Sequence, residues 1–222
     1  MHDQVREAEA LIFDLDGTLY DAAGFARRLV LSGLRDSFLV LAERRTRKSL
    51  AGCDYGSAGL YYGEFFSRMA RKTGRPAEWL WAWHFDRYLP RMARILKKYY
   101  QPRPGMSALF SRLSKGSVPF AVYSDYPETA KRLSFLGLSP THGRLYGPEH
   151  FGAQKSAARP FTMIAGDLGI PPQRTLVMGD REDTDGAGAA AAGMDYIRVD
   201  NGIWDTLYPL FRERFSLPKR RR

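Results

Sequence analysis

At 222 residues and 44% apolar, the chain can bury one ordinary core with room for a small second module. Residues 1–10 are polar and charged, so no secretory signal is expected, and no window reaches the roughly 18 apolar residues of a membrane helix. A single cysteine, Cys53, excludes an internal disulfide framework and argues against a zinc cluster, so the expected setting is reducing and cytoplasmic. The formal charge is +10, and its location is informative. Between Asp21 and Arg103 there are 17 Lys plus Arg against 7 acidic residues, while the rest of the chain is balanced.

The first element is a short apolar run, Ala10–Phe13, read as a buried strand that ends in a loop at Gly17. From Gly24 the spacing becomes helical. Phe25, Leu29, Leu34, Phe38 and Leu41 predict one apolar face on one long helix. The break AGCDYGSAG precedes a second helix over Leu60–Lys72, and Pro76 suits the first turn of a third region, Trp79–Tyr100. Residues 21–103 therefore form a predicted helical insertion. After QPRPGM the pattern returns to helix Ser107–Ser114, strand Val118–Ser124, helix Pro127–Leu136, a polar connection, and helix Ala157–Leu168. Strand Arg174–Asp180, helix Gly186–Ala192 and strand Tyr196–Val199 follow. This alternation predicts an α/β fold whose mostly parallel sheet is covered on both faces, with a core of residues 1–20 and 104–222. Ligands of such sheets bind beyond the carboxyl ends of the strands, where Asp14, Ser124 and Asp180 stand.

Asp14 and Asp16 sit two residues apart at the first of those ends. Like charges this close repel, and a cation or hydrogen-bond donors are needed to keep both ionised. The stretches DLDGTLYD, VYSDYP, Lys155 and VMGDREDTDGAGAAAAGM, in that order, resemble the four motifs of the haloacid dehalogenase superfamily of phosphotransferases. The resemblance implies a Rossmann-like core with the helical insertion, 21–103, as a cap between the first two motifs. It also implies Mg2+ as cofactor and a small phosphorylated substrate. Asp14 would be nucleophile and metal ligand, forming an aspartyl-phosphate; carboxylate catalysis of this kind splits one displacement into two steps. Asp16 would give its backbone carbonyl to the metal and its side chain as general acid, then base.

Ser124, the backbone at Asp125 and Thr18 would hold phosphate or its loop, and Lys155 would offset charge at Asp14. Asp180 would be the second metal carboxylate and Asp185 the outer acid, with Asp183 competing for that place. The family pattern has a proline after the lysine. Ser156 stands there instead, with Arg159 as the alternative cation. Asp16 favours phosphate chemistry over dehalogenation, whose members lack this second acid. In the insertion, Arg27, Arg28, Tyr62, His84 and Arg91 are candidate substrate contacts, His84 is expected to be packed or at the surface, and Trp79, Trp81 and Trp83 do not share one face.

The function these features predict is magnesium-dependent hydrolysis of a small anionic phosphomonoester. A phosphomutase of the same fold and a catalytically quiet partner-binding relative are alternatives. So is nucleic-acid binding through the basic block and the tail KRRR, which the core acids and the lack of a nucleic-acid motif disfavour.

Overall fold

Four apolar residues and Asp14 make β1 (Ala10–Asp14), buried along its whole length. That is the pattern of a central strand covered on both faces. In the computed structural model, which describes residues 1–116, 118–139 and 141–218, β1 follows the short α1 (His2–Glu7). The tail Lys219–Arg222 lies outside the described residues.

The chain then runs through helices only: α2 (Phe25–Leu31), α3 (Ser37–Ser49), α4 (Ala58–Thr73), α5 (Ala77–Trp83), a wide turn at His84–Tyr88, and α6 (Leu89–Tyr99). It returns through α7 (Met106–Leu113) to β2 (Phe120–Tyr123), α8 (Thr129–Phe135), β3 (Arg144–Tyr146) and α9 (Pro148–Phe151). The last part is α10 (Ala158–Leu168), β4 (Thr175–Gly179), α11 (Ala187–Ala191), β5 (Asp195–Arg198) and α12 (Asn201–Phe215).

Among the described residues there are five strands, all parallel, in the order β3-β2-β1-β4-β5. The order reverses between β1 and β4, which opens a crevice at their carboxyl ends. Register sets Asp14 opposite Tyr123 and Phe13 opposite Met178, so Ser124 and Asp180 both lie just past the ends beside Asp14. The period of two divides the core. Leu11, Phe13, Leu176 and Met178 pack with α7, α12 and the helices between β1 and β2, whereas Ile12, Ala121 and Val177 pack with Phe161 and Ile164 of α10. Truncating a buried ring on either side of the sheet, Phe110 of α7 or Phe161 of α10, would cost about 3–5 kcal/mol.

Two expectations need correction. The long helix expected from Gly24 is broken at Gly33 and a short 3₁₀ turn, Leu34–Asp36. The break changes the phase of the apolar face, so Leu39 and Val40 are buried while Leu34, Phe38 and Leu41 are exposed. Asp36 is held there by Arg91, whose two guanidinium arms donate at 2.8 and 2.7 Å, and by Trp83 Nε1 at 2.8 Å. The polar connection after α8 also contains β3, too short and too exposed at Arg144 to show an apolar run. Among the described residues no helix is long and apolar enough to cross a membrane.

Candidate active site

The loop after β1 turns at Gly17, whose φ of +93° suits glycine. A Cβ there would also collide with the Asp180 carboxylate, and one at Gly179 would collide with Asp185. Two glycines thus let acids from β4 and the turn after it close on the end of β1. Carboxylate oxygens of Asp14, Asp180 and Asp185 lie within 4.8 Å of one another. Lys155 Nζ, 3% exposed at the side chain, pairs with Asp14 and with Asp185, the latter at 2.8 Å. Thr18 Oγ1 donates to the other Asp14 oxygen at 2.8 Å.

One ammonium does not balance three acids. Burial, with the Lys155 charge opposing and Asp185 and Asp16 adding, pushes the Asp14 carboxyl up to about 7. Burial and the Asp14 charge push Asp180 up to about 7 as well. Burial also raises Asp185 against the pull of Lys155. A cluster of hard oxygen donors short of positive charge fits a hard divalent cation such as magnesium better than a soft one.

The Asp16 carboxylate lies outside this trio. It accepts from Tyr20 Oη at 2.7 Å, from Ser124 Oγ at 3.2 Å and from the Arg132 guanidinium. Burial works against its ionisation, but Arg132, with Tyr20 and Lys155 adding, brings the carboxyl below its ordinary value. Asp125 turns to structural bonds: its Oδ1 accepts from Lys155 N at 3.0 Å and its carbonyl from Arg47 at 2.6 Å. Asp185 rather than Asp183 faces Lys155. Asp183 is paired at the surface with Arg181.

Arg159, the alternative to Lys155, instead grips Asp54 with two bonds of 2.6 Å and the Phe151 carbonyl at 2.5 Å. Residues 52–55 are stitched to the loop bearing Lys155. Gly52 N donates to Lys155 O at 3.0 Å, Gln154 N to Cys53 O at 3.2 Å and Tyr55 N to Gly152 O at 3.0 Å. The missing proline has a physical reason: Ser156 adopts φ +76°, which a pyrrolidine ring fixed near −65° cannot reach. Ser156→Gly should therefore raise stability by about 1–2 kcal/mol in urea unfolding. Ser156→Pro should lower it by about 3 kcal/mol or more. A tolerated proline would show that the turn is not fixed.

Of the candidates in the helical segment, Arg91 is committed to Asp36 and His84 is fully buried among Phe65, Phe66 and Tyr88. Burial holds the His84 imidazole well below its ordinary pKa, hence neutral. Trp83 is buried, and Trp79 and Trp81 are half-exposed.

The model of the haloacid dehalogenase-like hydrolases matches residues 8–193, which includes every acid described above. The chain belongs to the haloacid dehalogenase-like hydrolases. Curated relatives of this hydrolase include glyceraldehyde 3-phosphate phosphatase of Methanothermobacter thermautotrophicus, 25% identical over 88% of this chain and 87% of the relative. Phosphoglycolate phosphatase of Aquifex aeolicus is 24% identical over 88% of this chain and 89% of that one. CbbY of Rhodobacter sphaeroides, solved with xylulose-1,5-bisphosphate, shares the fold at TM-score 0.61 and 18% identity, with 87% of each chain covered.

Among the residues at this candidate site that escaped the sequence are Tyr20, which bonds Asp16, Arg132 and Arg103. Arg132 lies eight residues past Ser124, where a basic residue on a helix suggests a solvated face. Arg103 donates to the carbonyls of Thr18 and Gly17, each at 2.8 Å, and so fixes the loop after Asp14. Its only signal was a charged residue between two prolines in QPRPGM.

Proposed function

We propose that this hydrolase is a magnesium-dependent phosphatase of small anionic phosphomonoesters, with Asp14 as nucleophile. The observation that carries the proposal is the buried acid trio at the strand-order reversal with one lysine bridging Asp14 and Asp185. Its curated relatives are phosphatases of small phosphorylated metabolites by name, which supports the substrate class. Residues 21–103 are proposed as a cap over a core of 1–20 and 104–222, and their +10 charge would draw anions toward the site.

Asp14, Asp180 and the Asp16 carbonyl would hold the magnesium, which supplies the positive charge that lets a carboxylate meet a phosphoryl group. Asp16, a carboxylate while Arg132 holds it, would first take a proton from solvent; Asp14 then attacks phosphorus, the bond to the leaving oxygen breaks, and the Asp16 carboxyl gives that oxygen its proton. Water then attacks phosphorus, Asp16 takes the proton back, and inorganic phosphate leaves with Asp14 restored. Thr18 keeps one Asp14 oxygen oriented and Lys155 holds the other. Asp185 orients Lys155.

Phosphate release from phosphoglycolate, glyceraldehyde 3-phosphate and a panel of other phosphomonoesters should require magnesium and cease on chelation with EDTA. Release that EDTA leaves untouched, or none across the panel, would count against the proposal.

A further inference from the structure

Donors from three segments converge on one carboxylate at the carboxyl ends of β1 and β2. Tyr20, Ser124 and Arg132 all bond Asp16, and the second arm of the Arg132 guanidinium donates to Ser124 Oγ at 2.8 Å. The three donor residues are almost fully enclosed, Arg132 4% exposed and Ser124 and Tyr20 0%. The carboxylate they hold is the open member: the Asp16 side chain is 24% exposed against 5% for that of Arg132. The cradle is therefore the fixed part, with its anion on the open side.

A buried guanidinium cannot shed its proton and needs an anion beside it. Nothing in its chemistry requires that anion to be Asp16. Its planar fork fits a pair of phosphoryl oxygens as well as it fits a carboxylate. The Tyr126 ring lies 5.4 Å from the guanidinium, and the Tyr126 N–H bonds Ser124 Oγ at 3.1 Å, so both donors are held from behind.

We propose that Arg132 joins Ser124, already expected to hold phosphate, in binding the substrate's phosphoryl group, and that the Asp16 carboxylate occupies this place as a place-holder until substrate arrives. The proposal rests on the phosphatase function above. When a phosphoryl oxygen takes Arg132 and Ser124, Asp16 loses two of its three donors and is released to face the leaving group. No covalent bond changes in the exchange: one anion replaces another on a single guanidinium. Arg132 is thus a substrate-binding residue that also decides when Asp16 is free.

Binding of inorganic phosphate to the magnesium-loaded protein, measured by titration calorimetry, tests this through two variants with opposite expected signs. Arg132→Gln should weaken binding at least about 10-fold, the size of a lost charge-assisted contact. Asp16→Asn, which keeps the shape and the backbone carbonyl but removes the competing charge, should bind phosphate as tightly as the native protein or several-fold more tightly. A merely structural ion pair would give losses in both.

Arg132→Gln within about twofold of native, or Asp16→Asn weakened as much as Arg132→Gln, overturns the proposal. If Arg132→Gln does not fold, Arg132→Lys, which keeps the cation without the fork, decides on the same scale: a loss of about threefold or more supports, less overturns. Should native binding be too weak to detect, measurable binding by Asp16→Asn supports the place-holder and its absence overturns it. Failure of the phosphatase proposal would appear separately, as no phosphate release by the native protein.

Discussion

Asp14→Asn should release phosphate at least about 1,000-fold more slowly than the native protein, because an amide cannot take the covalent role proposed for the Asp14 carboxylate. The same variant should melt at a higher temperature than the native protein in metal-free buffer at pH 8. Burial, against Lys155 and with Asp185 and Asp16, pushes the Asp14 carboxyl up to about 7. The folded state then keeps a proton that the unfolded chain gives up near pH 4, roughly the ordinary value. Stability from this group is therefore full below about pH 4 and is lost as pH rises through about 7. The asparagine has no proton to lose, so its advantage should shrink toward pH 5. Magnesium should raise the melting temperature of the native protein at pH 8 more than that of the variant. A variant that keeps a tenth of the activity, or one that melts lower than native at pH 8, would contradict the assignment of Asp14.

The parallel sheet was legible because its strands are continuous apolar runs that end in polar residues and glycine. Every end of β1, β2 and β4 lies within two residues of its expected bound. The acids at those ends were legible for the same reason: parallel strands bring their carboxyl ends together, and register does the rest. What escaped depended on contacts distant in sequence. The break in the helix expected from Gly24 is stabilised by Arg91 and Trp83 reaching Asp36 across about 50 residues, which a local period does not report. α12 carries Pro209 in its interior, a signal against a helix, yet Trp204, Leu207 and Phe211 on one side bury against the sheet's covering helices. Arg132 reads as a surface cation from its neighbour Lys131 alone, and only folding turns it under the ends of β1 and β2. Ser156, a departure from the family pattern in the sequence, becomes intelligible once its backbone angle is known.

Lys155→Met should lower phosphate release by about 100-fold or more, the loss expected when one fixed charge at the proposed reacting group is removed. It should also destabilise the metal-free protein by about 3–5 kcal/mol at pH 8, because Asp14 and Asp185 would lose their shared buried partner. Burial disfavours the charged lysine, but Asp14 and Asp185 outweigh burial and hold its ammonium well above the ordinary pKa. Its contribution is therefore full below the unfolded value, about 10.5, and is lost only at still higher pH. Across pH 5 to 8 the variant's deficit must then follow the carboxyls, which without the ammonium are raised further and take up protons as pH falls. The loss should accordingly be largest at pH 8 and smallest near pH 5, and magnesium should recover more stability in the variant than in the native protein. Methionine nearly matches the lysine stem in length, so packing alone would make the deficit independent of pH and of magnesium. Unfolding curves at the two pH values, each with and without the metal, separate a lysine that balances charge at Asp14 from one that merely fills space.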